Sequence, residues 1–140
     1  MRSYSIGSGD GDDSFARATD DGLVAAVDGL VTVLTGTEWD LCLTVRSYRK
    51  APPLDLKHWD RVTEVGFHSA DGQAGISSLL SGDEPPPMTV AGAGSYRIRL
   101  HVRGRNAPEA FWPDMPAEHH LLVVFPGKSK KQKLLKNTER

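Results

Sequence analysis

Apolar and basic side chains alternate strictly between residues 96 and 103, and this is the clearest pattern along the chain. Four apolar residues are interleaved with four basic ones, namely Tyr96, Ile98, Leu100 and Val102 with Arg97, Arg99, His101 and Arg103. Because successive side chains of a strand point to opposite faces, the pattern predicts a half-buried β-strand with one apolar and one cationic face. Residues 39–46 alternate in the same way and predict a second amphipathic strand.

Shorter apolar runs separated by turn signals predict further strands. Residues 23–27 and 30–34 flank Asp28 and Gly29, a dipeptide suited to a two-residue hairpin turn. One long strand bent at a glycine bulge fits the same segment.

Later segments of the chain add three more strands to this prediction. Residues 62–69 read as a strand, and residues 73–80 are expected to return beside it as its partner. Residues 120–125 are apolar on both faces, which indicates a central strand. Residues 54–59, which follow two prolines, fit a short helical turn or an extended crossing.

Together these patterns predict an all-β fold. No segment keeps a helical period over ten residues, and the chain of 140 residues suits one domain with one core. We expect a single-domain antiparallel β-sandwich of about seven to eight strands, either jelly-roll-like or Greek-key.

The net charge of −1 conceals a separation of charge along the chain. Residues 128–140 hold six basic residues and one acidic residue, which leaves eleven basic and seventeen acidic residues elsewhere, a net of −6. The Asp-, Gly- and Ser-rich residues 1–22 predict a flexible acidic lead-in, and residues 23–127 form the predicted sandwich domain. The basic tail, residues 128–140, follows, with residues 134–138 as a possible final edge strand.

Cysteine usage and hydropathy bear on the compartment. Cys42 has no second cysteine to pair with, which is typical of a reducing compartment. The apolar stretches are too short to span a bilayer, and residues 1–22 lack the apolar core of a signal peptide. We therefore expect a cytoplasmic protein that does not contact a membrane.

Several segments resemble one family of small actinobacterial proteins of unknown function. They are LTGTEW at 34–39, APPLDL at 51–56 with Trp59, GSYRIRLHVRGR at 94–105, and residues 118–126, which end in Phe125 and Pro126. The likeness covers most of residues 23–138. It implies a bacterial all-β protein and no known activity.

The basic face of the 96–103 strand supports two interpretations. Guanidinium groups suit phosphate oxygens, so this face and the tail could follow a nucleic-acid backbone. The candidate residues for that role are Arg97, Arg99, Arg103, Arg105, Lys128, Lys130, Lys131 and Lys133. The other interpretation pairs the arginines with Glu64 or Asp40 on neighbouring strands, and the acidic body of the chain favours it.

The sequence contains no constellation that names a reaction. His119 and His120 are adjacent, so on a strand they face opposite ways and cannot bind one ion together. The serines lack a nucleophile elbow, and no phosphate-binding loop is present. We predict no catalytic residues, no metal site and no cofactor, which favours a non-enzymatic protein without settling the question.

The segment between the last two predicted core strands carries large apolar side chains among prolines and carboxylates. Phe111, Trp112 and Met115 are of types enriched at the centres of protein interfaces, although for Phe111 or Trp112 the sequence favours folding back to cap one end of the sandwich. The sequence thus predicts a protein-binding module that acts through its end loops. The alternative is a nucleic-acid-binding module that uses the arginine face and the lysine-rich tail.

Overall fold

The computed structural model describes residues 2–7, 17–18, 22–27, 30–35, 42–69, 76–77, 92–104, 118–129 and 131–138. These residues form nine β-strands. They are β1 (Arg2–Gly7), β2 (Val24–Val27), β3 (Leu30–Thr35), β4 (Cys42–Ser47), β5 (Arg61–Ser69), β6 (Ile76–Ser77), β7 (Gly94–Arg103), β8 (His119–Pro126) and β9 (Lys133–Asn137). The all-β prediction is confirmed. Within the described ranges, no helix has the length and apolar character needed to cross a membrane.

The smaller sheet contains four strands in the order β2-β3-β1-β6. β2 and β3 pair as an antiparallel hairpin in which Val27 lies opposite Leu30, as Asp28 and Gly29 predicted, so the single bent strand is wrong. β1 pairs with β3 along its whole length, so residues 2–7, which lie within the predicted lead-in, form a strand of the smaller sheet. The apolar Tyr4 and Ile6 alternate with serines and are buried, and this short period of two was masked by the surrounding Gly, Ser and Asp.

We expected residues 73–80 to return beside β5 as its partner strand, and this expectation is wrong. β6 pairs instead with β1, with Ile76 opposite Ile6, and so belongs to the smaller sheet. Both edges of β5 are occupied by β7 and β9, which leaves no edge at which β6 could pair. A local turn signal predicts a reversal of the chain but not the strand that receives it.

The larger sheet contains five strands in the order β4-β8-β7-β5-β9. β8 lies between β4 and β7, in agreement with its apolar character on both faces. β4 runs parallel to β8, whereas the other pairs between the described strands are antiparallel, as the predicted antiparallel sandwich requires. The alternation of side chains is the same in parallel and antiparallel strands, and the sequence therefore carries no information on direction. β9 lies at the opposite edge, where the tail was expected to dock.

The two sheets share one hydrophobic core. It is built from the inward side chains of both sheets, including Tyr4, Ile6, Val31 and Val33 from the smaller and Val65, Phe67, Tyr96, Ile98, Leu100, Val102, Leu122 and Val124 from the larger. The apolar half of the β7 alternation thus lies in the core, as predicted. The basic half lies on the outer face of the larger sheet, where the candidate site is found.

Candidate binding site

The basic face of β7 is covered by other parts of the same chain. Arg97, Arg99 and His101 are buried, with only 3%, 5% and 3% of their surface exposed to solvent. Pro52 O accepts a hydrogen bond from Arg99 Nη1 at 3.1 Å, and the Trp59 ring lies 5.3 Å from the His101 ring. The segment between β4 and β5 therefore runs across this face, with a turn at residues 57–58.

Glu64 on β5 is the acidic partner of the two buried arginines. Its Oε1 accepts from Arg97 Nε at 2.9 Å, and its Oε2 accepts from Arg99 Nε at 3.2 Å. Antiparallel pairing places Glu64 directly opposite Arg99, so all three side chains share one face. The Arg99 guanidinium also lies 5.2 Å from the centre of the Phe125 ring. The cross-strand pairing with Glu64 that the sequence suggested is present.

Arg97 is further held by the segment that joins β8 to β9. Its Nη1 donates to the carbonyl oxygens of Ser129 at 2.9 Å and Lys131 at 2.6 Å. Gly127 passes so close to the Arg97 side chain that an added Cβ would lie 2.6 Å from Arg97 Cγ. A residue larger than glycine at position 127 would have to displace the arginine.

His101 is packed rather than poised for proton transfer. Its Nδ1 lies 3.1 Å from Leu121 O, and since a carbonyl oxygen only accepts, Nδ1 carries the proton. Burial lowers the pKa of His101 below its ordinary value, and the positive charge of Arg99 lowers it further. The hydrogen bonds to the backbone of Leu121 and Arg99 raise the pKa by a smaller amount. The imidazole is therefore neutral near pH 7.

The basic face ends in an open pocket of about 170 Å³. Its lining brings together a thiol, a hydroxyl, an indole, two guanidinium groups and an imidazole, from Cys42, Thr44, Trp59, Arg46, Arg103 and His119. The Arg103 guanidinium lies 5.4 Å from the centre of the Trp59 ring. Arg46 and Arg103 are both exposed, and neither has an ion-pair partner in the part of the chain that the structure describes. We call this pocket the arginine pocket.

Strand pairing explains why these residues meet. The parallel pairing of β4 with β8 puts Cys42 beside His119, and the antiparallel pairing of β7 with β8 puts Arg103 opposite His119. Of these residues, Arg103 was predicted from the sequence as a binding residue, and Arg46, Thr44 and Trp59 were not. Their alternation shows that Thr44 and Arg46 share a face, but only the β4–β8 pairing brings that face to Arg103.

His120 faces the opposite way from His119 and joins a buried chain of hydrogen bonds. Tyr4 Oη is hydrogen-bonded to His120 Nδ1 at 2.7 Å, and His120 Nε2 lies 2.5 Å from Glu118 Oε2. Burial raises the pKa of Tyr4 well above its ordinary value, and the negative charge of Glu118 adds to this. All three residues are buried, so the chain connects β1 of the smaller sheet to β8 of the larger and is not open to a substrate.

A second, more apolar pocket of about 420 Å³ lies where β7 begins and β8 ends, lined by Tyr96, Pro126 and Lys128 among others. Ser95 at its rim has its Oγ 3.4 Å from His68 Nδ1, on an exposed surface. This contact is too long for a strong hydrogen bond, and no acidic group that orients the imidazole is found among the described residues. The pair does not form a nucleophilic site.

The sequence-proposed residues are distributed unevenly. Arg97 and Arg99 are buried, whereas Arg103, Lys128, Lys131 and Lys133 are exposed. The remaining candidates, Arg105, Lys130, Phe111, Trp112 and Met115, lie outside the described residues, as does Asp40. Within the described ranges, no three His, Cys, Asp or Glu side chains come together as metal ligands.

No protein-family model and no curated protein matches the sequence. Among solved structures, the fold is similar to the crystal structure of ComJ from Bacillus subtilis, described as an inhibitor of the DNA-degrading activity of NucA, with a TM-score of 0.59. The similarity covers 91% of this chain and 90% of ComJ at 15% sequence identity. At this identity the similarity concerns the fold, and it agrees with the all-β architecture.

Proposed function

We propose that the protein is a non-enzymatic protein-binding module that acts through the loops at the arginine-pocket end of the sandwich. The observation that carries the proposal is the similarity of fold, over nine-tenths of both chains, to a protein described as an inhibitor of a nuclease. A protein inhibitor acts by binding another protein, and the same scaffold suits that role here. The proposal extends to this chain only the binding of a protein partner, not the identity of the partner.

Two backbone contacts support the choice of this end. Gly104 N donates to Asp60 Oδ2 at 2.9 Å, and Cys42 N donates to Glu118 O at 3.0 Å. Gly104 and Glu118 flank residues 105–117, the segment that contains Phe111, Trp112 and Met115. The two described residues that flank this segment are therefore hydrogen-bonded to the larger sheet and to Asp60 beside it.

The structure weakens the nucleic-acid alternative for the inner arginines. Arg97 and Arg99 are buried, and the Nε and Nη1 of each donate to Glu64 and to carbonyl oxygens of their own chain, while Arg97 Nη2 is buried without a hydrogen-bond partner among the described residues. A phosphate backbone would have to displace these contacts. The acidic body, with its net charge of −6 outside residues 128–140, also repels a polyanion.

The proposal is tested by capture followed by reconstitution. The tagged full chain is used to isolate a partner from its own cells, and the purified pair is measured by calorimetry and light scattering for a saturable complex of fixed stoichiometry. The double variant Phe111→Ala and Trp112→Ala should lose binding by roughly a hundredfold or more if both rings are interface hot spots.

Thermal unfolding of the same double variant separates binding from packing. A melting temperature close to that of the wild type supports rings that await a partner. If the rings instead cap the core, unfolding becomes easier by about 3–5 kcal/mol for each ring, and the loop is not the binding site. Failure of any purified protein to form a stoichiometric complex would overturn the proposed function.

A further inference from the structure

The arginines on the outer face of the larger sheet differ in whether they form an ion pair within the chain. Arg97 and Arg99 share one internal carboxylate, Glu64, whereas Arg46 and Arg103 meet at the arginine pocket without any carboxylate among the described residues. We propose that the arginine pocket binds one carboxylate group supplied from outside the chain, namely an Asp or Glu side chain of the protein partner. This inference rests on the proposed function and names the chemistry of the partner at that site.

Arg103 lies one position beyond the end of the β5–β7 pairing. The register continued by one position places Asp60 across from Arg103, but Asp60 Oδ2 accepts from Gly104 N at 2.9 Å and forms no ion pair with Arg103. On its other side Arg103 faces His119 of β8, which is not an acid. The face therefore ends in two exposed guanidinium groups, neither of which forms an ion pair with a described residue.

The pocket is organised for a small anion. Trp59 packs against the His101 ring at 5.3 Å, and its own ring lies 5.4 Å from the Arg103 guanidinium. This contact restrains Arg103 before any ligand arrives, which lowers the entropic cost of binding. Thr44 adds an exposed hydroxyl that can donate to a ligand oxygen.

Size and chemistry favour a carboxylate over a larger ligand. The pocket volume of about 170 Å³ lies below the range of roughly 300–1,000 Å³ that is usual for whole cofactors or metabolites. Planar guanidinium forks match the two oxygens of a carboxylate. A single carboxylate also escapes the repulsion that the acidic body exerts on a polyanion.

The first test uses acetate and inorganic phosphate as probes and needs no partner. The isotope-labelled full chain is titrated at constant ionic strength with chloride as the balancing anion, and the Trp59 indole N–H and the arginine Nε–H resonances are followed by NMR. Acetate should produce saturable shifts at Trp59 and Arg103. Arg46→Gln and Arg103→Gln should each weaken the apparent affinity by roughly tenfold.

Arg49→Gln is the matched control, because Arg49 is an equally exposed arginine that does not line the pocket. It removes the same formal charge and should leave acetate binding unchanged. Equal losses in all three variants, or shifts that grow linearly with acetate, would mean that only general screening is observed and would overturn the inference. Saturation by phosphate without saturation by acetate would overturn the carboxylate as the ligand.

The second test uses the reconstituted complex and separates the two proposals. If Arg46→Gln and Arg103→Gln bind the partner as tightly as Arg49→Gln does, the carboxylate inference is wrong and the proposed function stands. If acetate binds as expected but no protein forms a stoichiometric complex, the pocket is a carboxylate site and the proposed function is wrong. Loss of partner binding in both pocket variants, with retention in the control, supports both.

Discussion

Arg97 shows how a single charged residue can be placed inside this fold. It is 3% exposed, and a buried guanidinium is costly unless a counter-charge and hydrogen-bond acceptors surround it. Glu64 provides the charge, and the Ser129 and Lys131 carbonyls provide further acceptors. The arginine therefore fastens the segment after β8 onto the sheet.

Substitution of Glu64 tests this balance. Glu64→Gln removes the negative charge shared by Arg97 and Arg99, and the side chain of Glu64 is only 14% exposed. Because two buried cations then lack a counter-charge, we expect a loss of about 3–5 kcal/mol in the free energy of unfolding, measured by urea denaturation. Asp55→Asn, at an exposed carboxylate that accepts from Lys57 N, is the control and should cost less than about 1 kcal/mol. Equal effects of the two variants would contradict the assignment.

Gly127 offers a steric test at the same place. An added Cβ would meet Arg97 Cγ at 2.6 Å, so Gly127→Ala forces the arginine or the backbone to move. We expect a loss of about 1–3 kcal/mol, the usual range for an overpacked site, in chemical denaturation. Ser129→Ala keeps the carbonyl that Arg97 uses and should unfold like the wild type. A neutral Gly127→Ala variant would show that Arg97 is not tightly held.

At the scale of elements, one hydrogen-bonded chain connects the two sheets. Tyr4 on β1 is hydrogen-bonded to His120 on β8, and His120 in turn contacts Glu118, and all three residues are buried. The Tyr4 and His120 rings also lie 5.6 Å apart between centroids. The polar chain fixes the lateral position of β1 against the larger sheet, which apolar packing alone specifies less sharply.

Tyr4→Phe removes the hydroxyl and leaves His120 Nδ1 without its hydrogen-bond partner. The variant should lose about 1–3 kcal/mol in the free energy of unfolding near neutral pH, because a buried polar atom is then unsatisfied.

The pH dependence gives a second, independent signature of Tyr4. Burial and the Glu118 charge raise the pKa of Tyr4 in the folded protein, so above the ordinary tyrosine pKa of about 10 the unfolded chain loses a proton that the folded protein keeps. Stability contributed by Tyr4 therefore falls as pH rises above this value. The melting temperature of the wild type should drop more steeply than that of Tyr4→Phe under alkaline conditions. Parallel curves for the two proteins would contradict the raised pKa.

At the scale of the whole molecule, the basic tail belongs to the fold. β9 pairs with β5, Lys136 Nζ donates to Leu56 O at 2.8 Å, and Thr138 N donates to Asp60 O at 2.6 Å. The tail is thus hydrogen-bonded to the segment between β4 and β5 that covers the basic face. Its role in the architecture is separate from its net charge.

Two changes to the tail distinguish architecture from charge. Deletion of residues 128–140 removes β9 and two acceptors of Arg97, and should cost at least about 3 kcal/mol in urea denaturation. Replacement of Lys128, Lys131 and Lys133 by Gln keeps the backbone and should stay within about 1 kcal/mol of the wild type.

The triple lysine variant also tests the nucleic-acid alternative. Fluorescence anisotropy with single- and double-stranded DNA at two salt concentrations should show the same weak affinity for both proteins. If removal of the three lysines instead reduces the slope of the logarithm of the binding constant against the logarithm of the salt concentration by about three, nucleic-acid binding is assigned to the tail.

Local patterns predicted much of this fold and part of the site. The alternation in β7 predicted which side chains enter the core, and the Asp28–Gly29 turn predicted the β2–β3 hairpin. The pairing of Arg97 and Arg99 with Glu64 was also foreseen. The arginine pocket was not predicted, because Arg46 and Arg103 line the same pocket only through the parallel pairing of β4 with β8, which no local sequence pattern indicates.

The sequence by itself determined where strands form and which face each side chain takes, because a period of two is a local property of the extended backbone. Only the tertiary structure decided which strands are neighbours, that β1 belongs to the smaller sheet, and that the basic face of β7 is covered. Tyr4 and His120, which meet across 116 positions of sequence, are the clearest case. Such contacts depend on the free energy of packing distant segments together, which the alternation of side chains within one segment does not contain.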